Sequence, residues 1–159
     1  MTAIHRDSGG TVWIGTETGL NWLDSKTGEI QRVFDHRLDK RSITQILETD
    51  GELWIATRGS GLFWLSGGSE WVRVWSERIE ITALEADEDA IWVGTLGSGV
   101  IRFDRQAHVT ERFSKESGLS GHDVLSLERD ENNGLWIGTT NGLCQIKIKT
   151  KDSSCLQHH

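Results

Sequence analysis

A tryptophan motif recurs four times along this chain of 159 residues, and it restricts the fold more than any other feature. Each copy has an apolar residue, Trp, Ile or Val, Gly or Ala, and Thr, at residues 12–16, 53–57, 91–95 and 135–139. Copies recur about every 40 residues, which is the repeat length typical of a four-stranded propeller blade. We therefore predict an all-β chain of four consecutive β-propeller blades.

The segments around each motif follow one order. An apolar segment precedes the motif, at residues 2–6, 43–48, 81–85 and 124–129, and ends at a turn with Asp7, Asp50, Asp87 or Asp130. A glycine turn and two more short segments follow, the last at 30–34, 71–75, 109–113 and, less apolar, 153–157. Short segments at regular spacing predict antiparallel strands and essentially no helix. The blades are expected at about 1–35, 43–76, 81–114 and 123–157.

The motif tryptophans are predicted to form the structural core of the repeat, because they occur in every copy: Trp13, Trp54, Trp92 and Trp136. A ligand-stacking role is the weaker alternative. The small residue that follows in each motif permits close approach of the next sheet. Trp22 and Trp64 align with Arg102 and Gln145. That column tolerates polar residues, so we expect it to be partly exposed.

Composition excludes several classes of partner. The net charge is −7, from 24 acidic and 17 basic residues. A nucleic-acid surface usually carries a basic stripe, and anionic membranes attract basic segments, so neither partner is expected. No apolar run is long enough for a membrane span, and residues 1–6 do not resemble a signal peptide. His158 and His159 resemble a purification-tag remnant and are left out of any site. Cys144 and Cys155 are expected to be incidental thiols.

The fourth repeat carries a family resemblance. Asp-Glu-Asn-Asn-Gly-Leu-Trp-Ile-Gly-Thr-Thr-Asn-Gly-Leu at residues 130–143 resembles the repeat of the two-component regulator propeller family. Gly118-Leu119-Ser120 is similar to the family's link between blades. The resemblance implies an extracytoplasmic sensor region of the kind found in bacterial hybrid sensor kinases, and hence a periplasmic location.

The predicted function follows from this resemblance and from the absence of a recognisable catalytic arrangement. We expect a non-enzymatic sensing or interaction module that binds a small molecule or a protein on a propeller face, without cofactor or metal. One alternative is a propeller enzyme of lyase or hydrolase type that uses the central funnel. Another is a structural half-propeller without activity, since fold alone does not give function.

Candidate binding residues lie in the two longest links between blades, at 35–42 and 114–122. Long loops often carry function, and these hold unrepeated polar residues. The candidates are His36, Arg37, Arg41 and His122. The turns at 87–89 and 130–133 resemble calcium loops only superficially, because a calcium site needs about six to eight oxygen ligands and these turns vary in length. No metal site is predicted.

A run of four blades leaves two outer faces, one on the first blade and one on the last. We expect these faces to contain Val12, Ile14, Leu135, Ile137 and Leu143. Large exposed apolar patches are rare on soluble monomers. A homodimer is therefore expected, closed through the first and last blades into an eight-bladed ring, which is a usual propeller size. A four-bladed monomer is the alternative.

Overall fold

The computed structural model describes residues 1–76, 78–106 and 108–157. His158 and His159, set aside above as a tag remnant, lie outside the described residues. Contacts divide the chain into two compact units, Met1–Ile81 and Thr82–His159. Within the described ranges, the one helical element is a single 3-10 turn, Lys115–Ser117. No helix in those ranges is long and apolar enough to cross a lipid bilayer.

The first unit contains blades 1 and 2. Blade 1 is β1 (Ala3–Arg6), β2 (Val12–Thr16), β3 (Gly19–Leu23) and β4 (Ile30–Arg32). Blade 2 is β5 (Ile43–Thr49), β6 (Glu52–Thr57), β7 (Gly61–Ser66) and β8 (Glu70–Trp75). In each blade, strands that follow one another in sequence pair antiparallel. β4 ends at Arg32, so Phe34 lies beyond the strand predicted to contain it.

The second unit contains blades 3 and 4. Blade 3 is β9 (Ile81–Ala86), β10 (Ala90–Thr95), β11 (Val100–Asp104) and β12 (Val109–Phe113). The first residue of β9, Ile81, belongs to the first unit. Blade 4 is β13 (Val124–Arg129), β14 (Gly134–Thr139), β15 (Gly142–Lys147) and β16 (Ser153–Gln157). The strand order again follows the sequence. The predicted fold class, four-stranded antiparallel blades, is confirmed.

Each blade has two faces, because successive strand residues point to opposite sides. We call one the leading face; in blade 1 it carries Ile4 and Ile14, which are register partners. The opposite, trailing face of blade 1 carries Trp13 and its partner Trp22. In the first unit, Trp13 and Leu20 on the trailing face of blade 1 pack with leading-face residues of blade 2. Those residues are Leu53, Ile55 and Phe63.

The second unit repeats this arrangement. Trp92 and Val100 on the trailing face of blade 3 share one buried cluster with residues of blade 4. The blade 4 residues are Leu135, Ile137, Cys144 and Ile146, all fully buried. Leu135 and Ile137 therefore lie on the leading face of blade 4. The prediction that they form its exposed outer face is wrong, because alternation along β14 points them toward blade 3.

Two repeated contacts join neighbouring blades within each unit. A Cβ added at Gly15 would lie 2.7 Å from Ile43 Cγ2, and one added at Gly94 would lie 2.7 Å from Val124 Cγ1. The motif glycine therefore forms a socket for the residue that begins the first strand of the next blade. The second contact is a hydrogen bond from the Thr2 hydroxyl to the Ile43 carbonyl. The Thr82 hydroxyl donates equivalently to the Val124 carbonyl at 2.7 Å.

The threonine that ends each motif closes the hairpin that follows. Its hydroxyl donates to the carbonyl of the turn glycine at distances between 2.8 and 3.0 Å. The four pairs are Thr16–Gly19, Thr57–Gly61, Thr95–Gly99 and Thr139–Gly142. These threonines satisfy a backbone group at the strand end, as threonine side chains often do.

Cys144 and Cys155 form a disulfide, with a Cα–Cα distance of 4.0 Å. They are register partners on β15 and β16, and side chains directly opposite each other on antiparallel strands lie close together. The prediction of two incidental thiols is wrong. The disulfide joins the outermost strand of blade 4 to its neighbour.

An aspartate binds the motif tryptophan in three blades. The indole N–H groups of Trp13, Trp92 and Trp136 donate to the carboxylates of Asp7, Asp87 and Asp130 at 2.8, 2.6 and 2.8 Å. In blade 2 the equivalent position is Thr49, five residues before Trp54, and Asp50 lies one residue beyond it in the tight turn. The buried Trp54 indole has no hydrogen-bond partner among the described residues. The prediction that Asp50 is equivalent to the other three aspartates is therefore wrong, because Thr49 occupies that position.

Thr49→Asp is expected to stabilise the protein by about 1 kcal/mol. The new carboxylate would stand five residues before its tryptophan, as Asp87 does before Trp92, and a hydrogen bond to a charged group usually contributes more than its desolvation removes. Urea unfolding at neutral pH measures the change. Thr49→Val, which offers no acceptor, is the matched control and should bring no gain. A Thr49→Asp protein no more stable than the wild type would contradict this account of the Trp54 indole.

Candidate functional site

The link between blades 1 and 2 forms a compact turn rather than an extended loop. The amides of Leu38 and Asp39 donate to the Asp35 carbonyl at 3.0 and 2.9 Å. The Leu38 side chain is fully buried in the core of the first unit. This apolar anchor fixes the backbone of the link, so that the polar residues on either side of it are held in place.

Arg37 and Arg41, two of the predicted binding residues, make contacts that tie the link to blade 2. Arg37 Nε donates to Asp35 Oδ1 at 3.1 Å, and Arg37 Nη1 donates to the Trp71 carbonyl. Arg41 Nη1 donates to the Ser60 hydroxyl at 2.7 Å, and its guanidinium lies 5.7 Å from the centre of the Phe63 ring. These contacts hold both guanidinium groups against the link and blade 2. Their geometry fits a positioning role in the link.

His36 lies in a surface groove of about 430 Å³. The groove is lined by Arg32, Phe34, Asp35, His36 and Asp39. The His36 side chain is 87% exposed, and its Nδ1 lies 3.9 Å from Asp35 Oδ1. Phe34 is 92% exposed. A solvated aromatic ring beside an imidazole is suited to binding a ligand that has both apolar and polar groups.

Phe34 is the groove residue that the sequence analysis missed, because it was assigned to the fourth strand of blade 1. The strand ends two residues earlier. The aligned residues, Trp75 in blade 2 and Phe113 in blade 3, are buried at the ends of their strands. The sequence signal for Phe34 lies in the residues that follow it. In blade 1, Asp35 and His36 follow at once and start the turn.

His122, the fourth predicted residue, lies in the second unit. Its Nε2 is 3.7 Å from Glu116 Oε1, and its side chain is 42% exposed. The pKa of Glu116 is lowered, first by the hydrogen bond from the Ser114 hydroxyl and also by the nearby His122. The His122 carbonyl accepts a hydrogen bond from the Gly99 amide at 2.8 Å. This backbone contact fixes the link against the glycine turn of blade 3.

The acidic turns use their carboxylates internally. Asp130 Oδ1 accepts from the Asn132 and Gly134 amides, each at 2.8 Å, and Oδ2 accepts from the Trp136 indole and Gln145 amide. Led by the Gly134 amide, these hydrogen bonds lower the pKa of Asp130 despite the opposing effect of desolvation. Asp87 is engaged similarly by the Asp89 amide and Trp92. Oxygens that face donors in this way organise the turn.

Comparison with known proteins matches one segment of the chain to a family model. Residues 118–141 match the family model described as two component regulator propeller. No relative was found among curated proteins. The matched segment begins at the link before blade 4 and covers its tryptophan motif, where the sequence resemblance was strongest.

Solved structures share the fold over nearly the whole chain. An extracellular domain assigned to a hybrid two component system of B. thetaiotaomicron has a TM-score of 0.81 and 18% identity, covering 98% of this chain and 22% of that one. A second such domain from B. thetaiotaomicron gives 0.79 and 21%, covering 98% and 24%. Virginiamycin B lyase from Staphylococcus aureus gives 0.74 and 14%, covering 99% and 55%.

The chain thus spans less than a quarter of either extracellular domain. At these identities the structural matches show the fold alone, and the lyase shows that enzymes share it. This chain is therefore a set of β-propeller blades, and its residues 118–141 match the two component regulator propeller family model.

Proposed function

We propose that this chain is a non-enzymatic sensing or interaction module that binds its ligand in the groove of the link between blades 1 and 2. The observation that carries the proposal is that Phe34 and His36 line the same groove and are both almost fully exposed. Neighbouring Arg37 and Arg41 are held by blade 2. The link therefore presents two side chains to solvent from a fixed backbone, which reduces the entropy lost on binding.

The ligand is a small molecule or a short protein segment with an apolar group for Phe34 and a polar group for His36. Charges of both signs, from Arg32, Asp35 and Asp39, line the groove. Arg32 Nη2 already donates to the Thr18 carbonyl at 2.9 Å and contacts Asp39. Selectivity for a strongly charged ligand is therefore not expected. Contact with the aromatic ring would supply much of the affinity, as aromatic residues do in many binding sites.

An extracytoplasmic location accompanies this function. Disulfides persist in oxidising compartments and are rare in the cytosol, and Cys144 is paired with Cys155. The extracellular domains that share the fold support the same location. A sensor placed there would pass its signal to other domains of a longer protein, as the family resemblance implies.

The groove is tested by nuclear magnetic resonance with isotopically labelled protein and a library of soluble aromatic and saccharide fragments. We expect at least one fragment class to shift the amide signals of residues 34–39 in a saturable manner. Phe34→Ala and His36→Ala should each weaken that binding severalfold. His108→Ala is the matched control, because His108 is also exposed and lies 3.4 Å from an aspartate, Asp104.

Two results would contradict the proposal. One is a set of fragments that shift only amides outside residues 34–39. The other is an equal effect of His36→Ala and His108→Ala on every fragment that binds. Turnover of any fragment during the titration would favour the enzyme alternative instead.

A further inference from the structure

The two outermost blade faces carry the residue types that other blades bury. On the leading face of blade 1, Ile4 is 62% exposed, and Val12, Ile14 and Leu23 are only half-buried. Their counterparts in blade 2 include Leu53 and Ile55, which are buried. On the trailing face of blade 4, Leu143 and Leu156 are 42% and 72% exposed. The counterparts of Leu143 in the other blades, Leu20, Leu62 and Val100, are fully buried.

On each of these faces, one residue of the glycine contact has no partner from another blade among the described residues. Gly15 receives Ile43, and Gly94 receives Val124. Gly138 is the motif glycine of blade 4, and the side chain closest to its added Cβ is Ser126 of the same blade. Met1 occupies in blade 1 the position that Ile43 and Val124 occupy in their blades, and it is 83% exposed. Among the contacts of the described residues, Gly138 of blade 4 thus meets no side chain of another blade, and the apolar Met1 of blade 1 is not buried.

Polar contacts to a carboxylate recur at the same repeat positions. His5 Nε2 on blade 1 lies 3.6 Å from Glu48 on blade 2. At the same two positions in the second unit, Glu85 accepts a hydrogen bond from the Arg129 amide at 3.4 Å. The next pair in this series would join Glu128, on the trailing face of blade 4, to Arg6, on the leading face of blade 1. Both are exposed, and they have opposite charges.

We propose that the trailing face of blade 4 binds the leading face of blade 1 of a second copy of this chain. Met1 of the second copy then packs against Gly138 and the neighbouring Ser126, and Arg6 pairs with Glu128. Leu125, 55% exposed, stands where Thr2 and Thr82 make their hydroxyl bonds, so it meets Met1 in an apolar contact. A heterologous contact of this kind closes after two copies if the rotation permits.

The contact is weaker than those within each unit. Asn21 stands on the leading face where blades 2 and 4 have Phe63 and Cys144, and its amide donates to the Ile14 carbonyl at 3.5 Å. A polar residue at the centre of the face reduces the apolar area buried. Association should therefore be reversible and depend on protein concentration.

Sedimentation equilibrium across a wide concentration range tests the proposal. We expect the mass to rise from 17.8 kDa to a limit of twice that value. Arg6→Glu and Glu128→Arg should each weaken association roughly fivefold or more, since they replace an attraction across the contact by a repulsion. The double variant should associate about as well as the wild type, because the pair is restored with its charges exchanged.

Glu17→Arg is the matched control, because it makes the same change of charge at an exposed turn outside both faces. Circular dichroism melting confirms that each variant is folded, and exposed positions favour that result. A wild-type mass of one chain at every concentration would overturn the proposal, as would growth past two copies. So would a double variant that associates no better than Glu128→Arg alone, or a control that weakens association equally.

Discussion

Trp92→Ala is expected to lower the free energy of unfolding by about 3–5 kcal/mol, the range for deleting a large buried aromatic side chain. Trp92 is fully buried, packs 5.7 Å from the Phe113 ring and donates its indole N–H to Asp87. The substitution leaves a cavity and also deprives the buried Asp87 carboxylate of a donor. Urea unfolding followed by circular dichroism measures the loss, since tryptophan fluorescence would change with the substitution itself.

Trp64→Ala is the control for this prediction. Trp64 is half-buried and stacks on Trp54 with ring centres 5.5 Å apart, but its indole N–H has no hydrogen-bond partner among the described residues. Its removal should cost clearly less than that of Trp92. Equal losses would show that the Asp–Trp bond and complete burial add nothing beyond the volume of the side chain.

Gly94→Ala is expected to destabilise the protein by roughly 1–3 kcal/mol, as overpacking of a well-packed core usually does. The added methyl group would lie 2.7 Å from Val124 Cγ1, and a β-branched side chain has few rotamers with which to move away. Blade 2 carries Ala56 at the same motif position. The effect therefore depends on the facing residue rather than on a general requirement for glycine.

The double variant Gly94→Ala/Val124→Ala separates this explanation from others. Shortening Val124 removes the atom that the new methyl group meets, so the two substitutions together should cost less than the sum of their separate costs. Additive losses in urea unfolding would contradict a steric origin at this contact.

The repeat made most of the fold predictable from sequence. The motif tryptophan, small residue and threonine recur at fixed spacing, and each makes a contact that is repeated in at least one other blade. Features that depend on pairing register were not accessible in the same way. Cys144 and Cys155 become partners only because β15 and β16 align them. The turn at Asp50-Gly51 is one residue shorter than expected, so the sequence did not show that Thr49 takes the place of the tryptophan-binding aspartate.

The candidate site was less predictable because it lies where the repeat stops. The longest links were recognised, and His36 does lie in the groove. However, sequence gave no means to distinguish Arg37 and Arg41, which bind blade 2, from side chains that point to solvent. Phe34 was predicted to belong to the fourth strand of blade 1, so its exposure was not expected. Where no periodic constraint acts, the direction of a side chain depends on contacts that only the folded chain reveals.

The recurring joint between blades also bears on how such chains can lengthen. In both units the joint consists of a threonine hydroxyl bonded to a carbonyl and an apolar residue set against a glycine. One blade supplies the threonine and the glycine, and the next blade supplies the carbonyl and the apolar side chain. Blade 3 has the threonine, the glycine and the apolar first-strand residue, and also the Asp87–Trp92 bond. A second copy of blade 3 placed directly after the first would thus have a compatible neighbour on either side. Stability in such arrays approximates a sum over repeats and their nearest-neighbour interfaces, so gene duplication could change the blade number without redesign of the core.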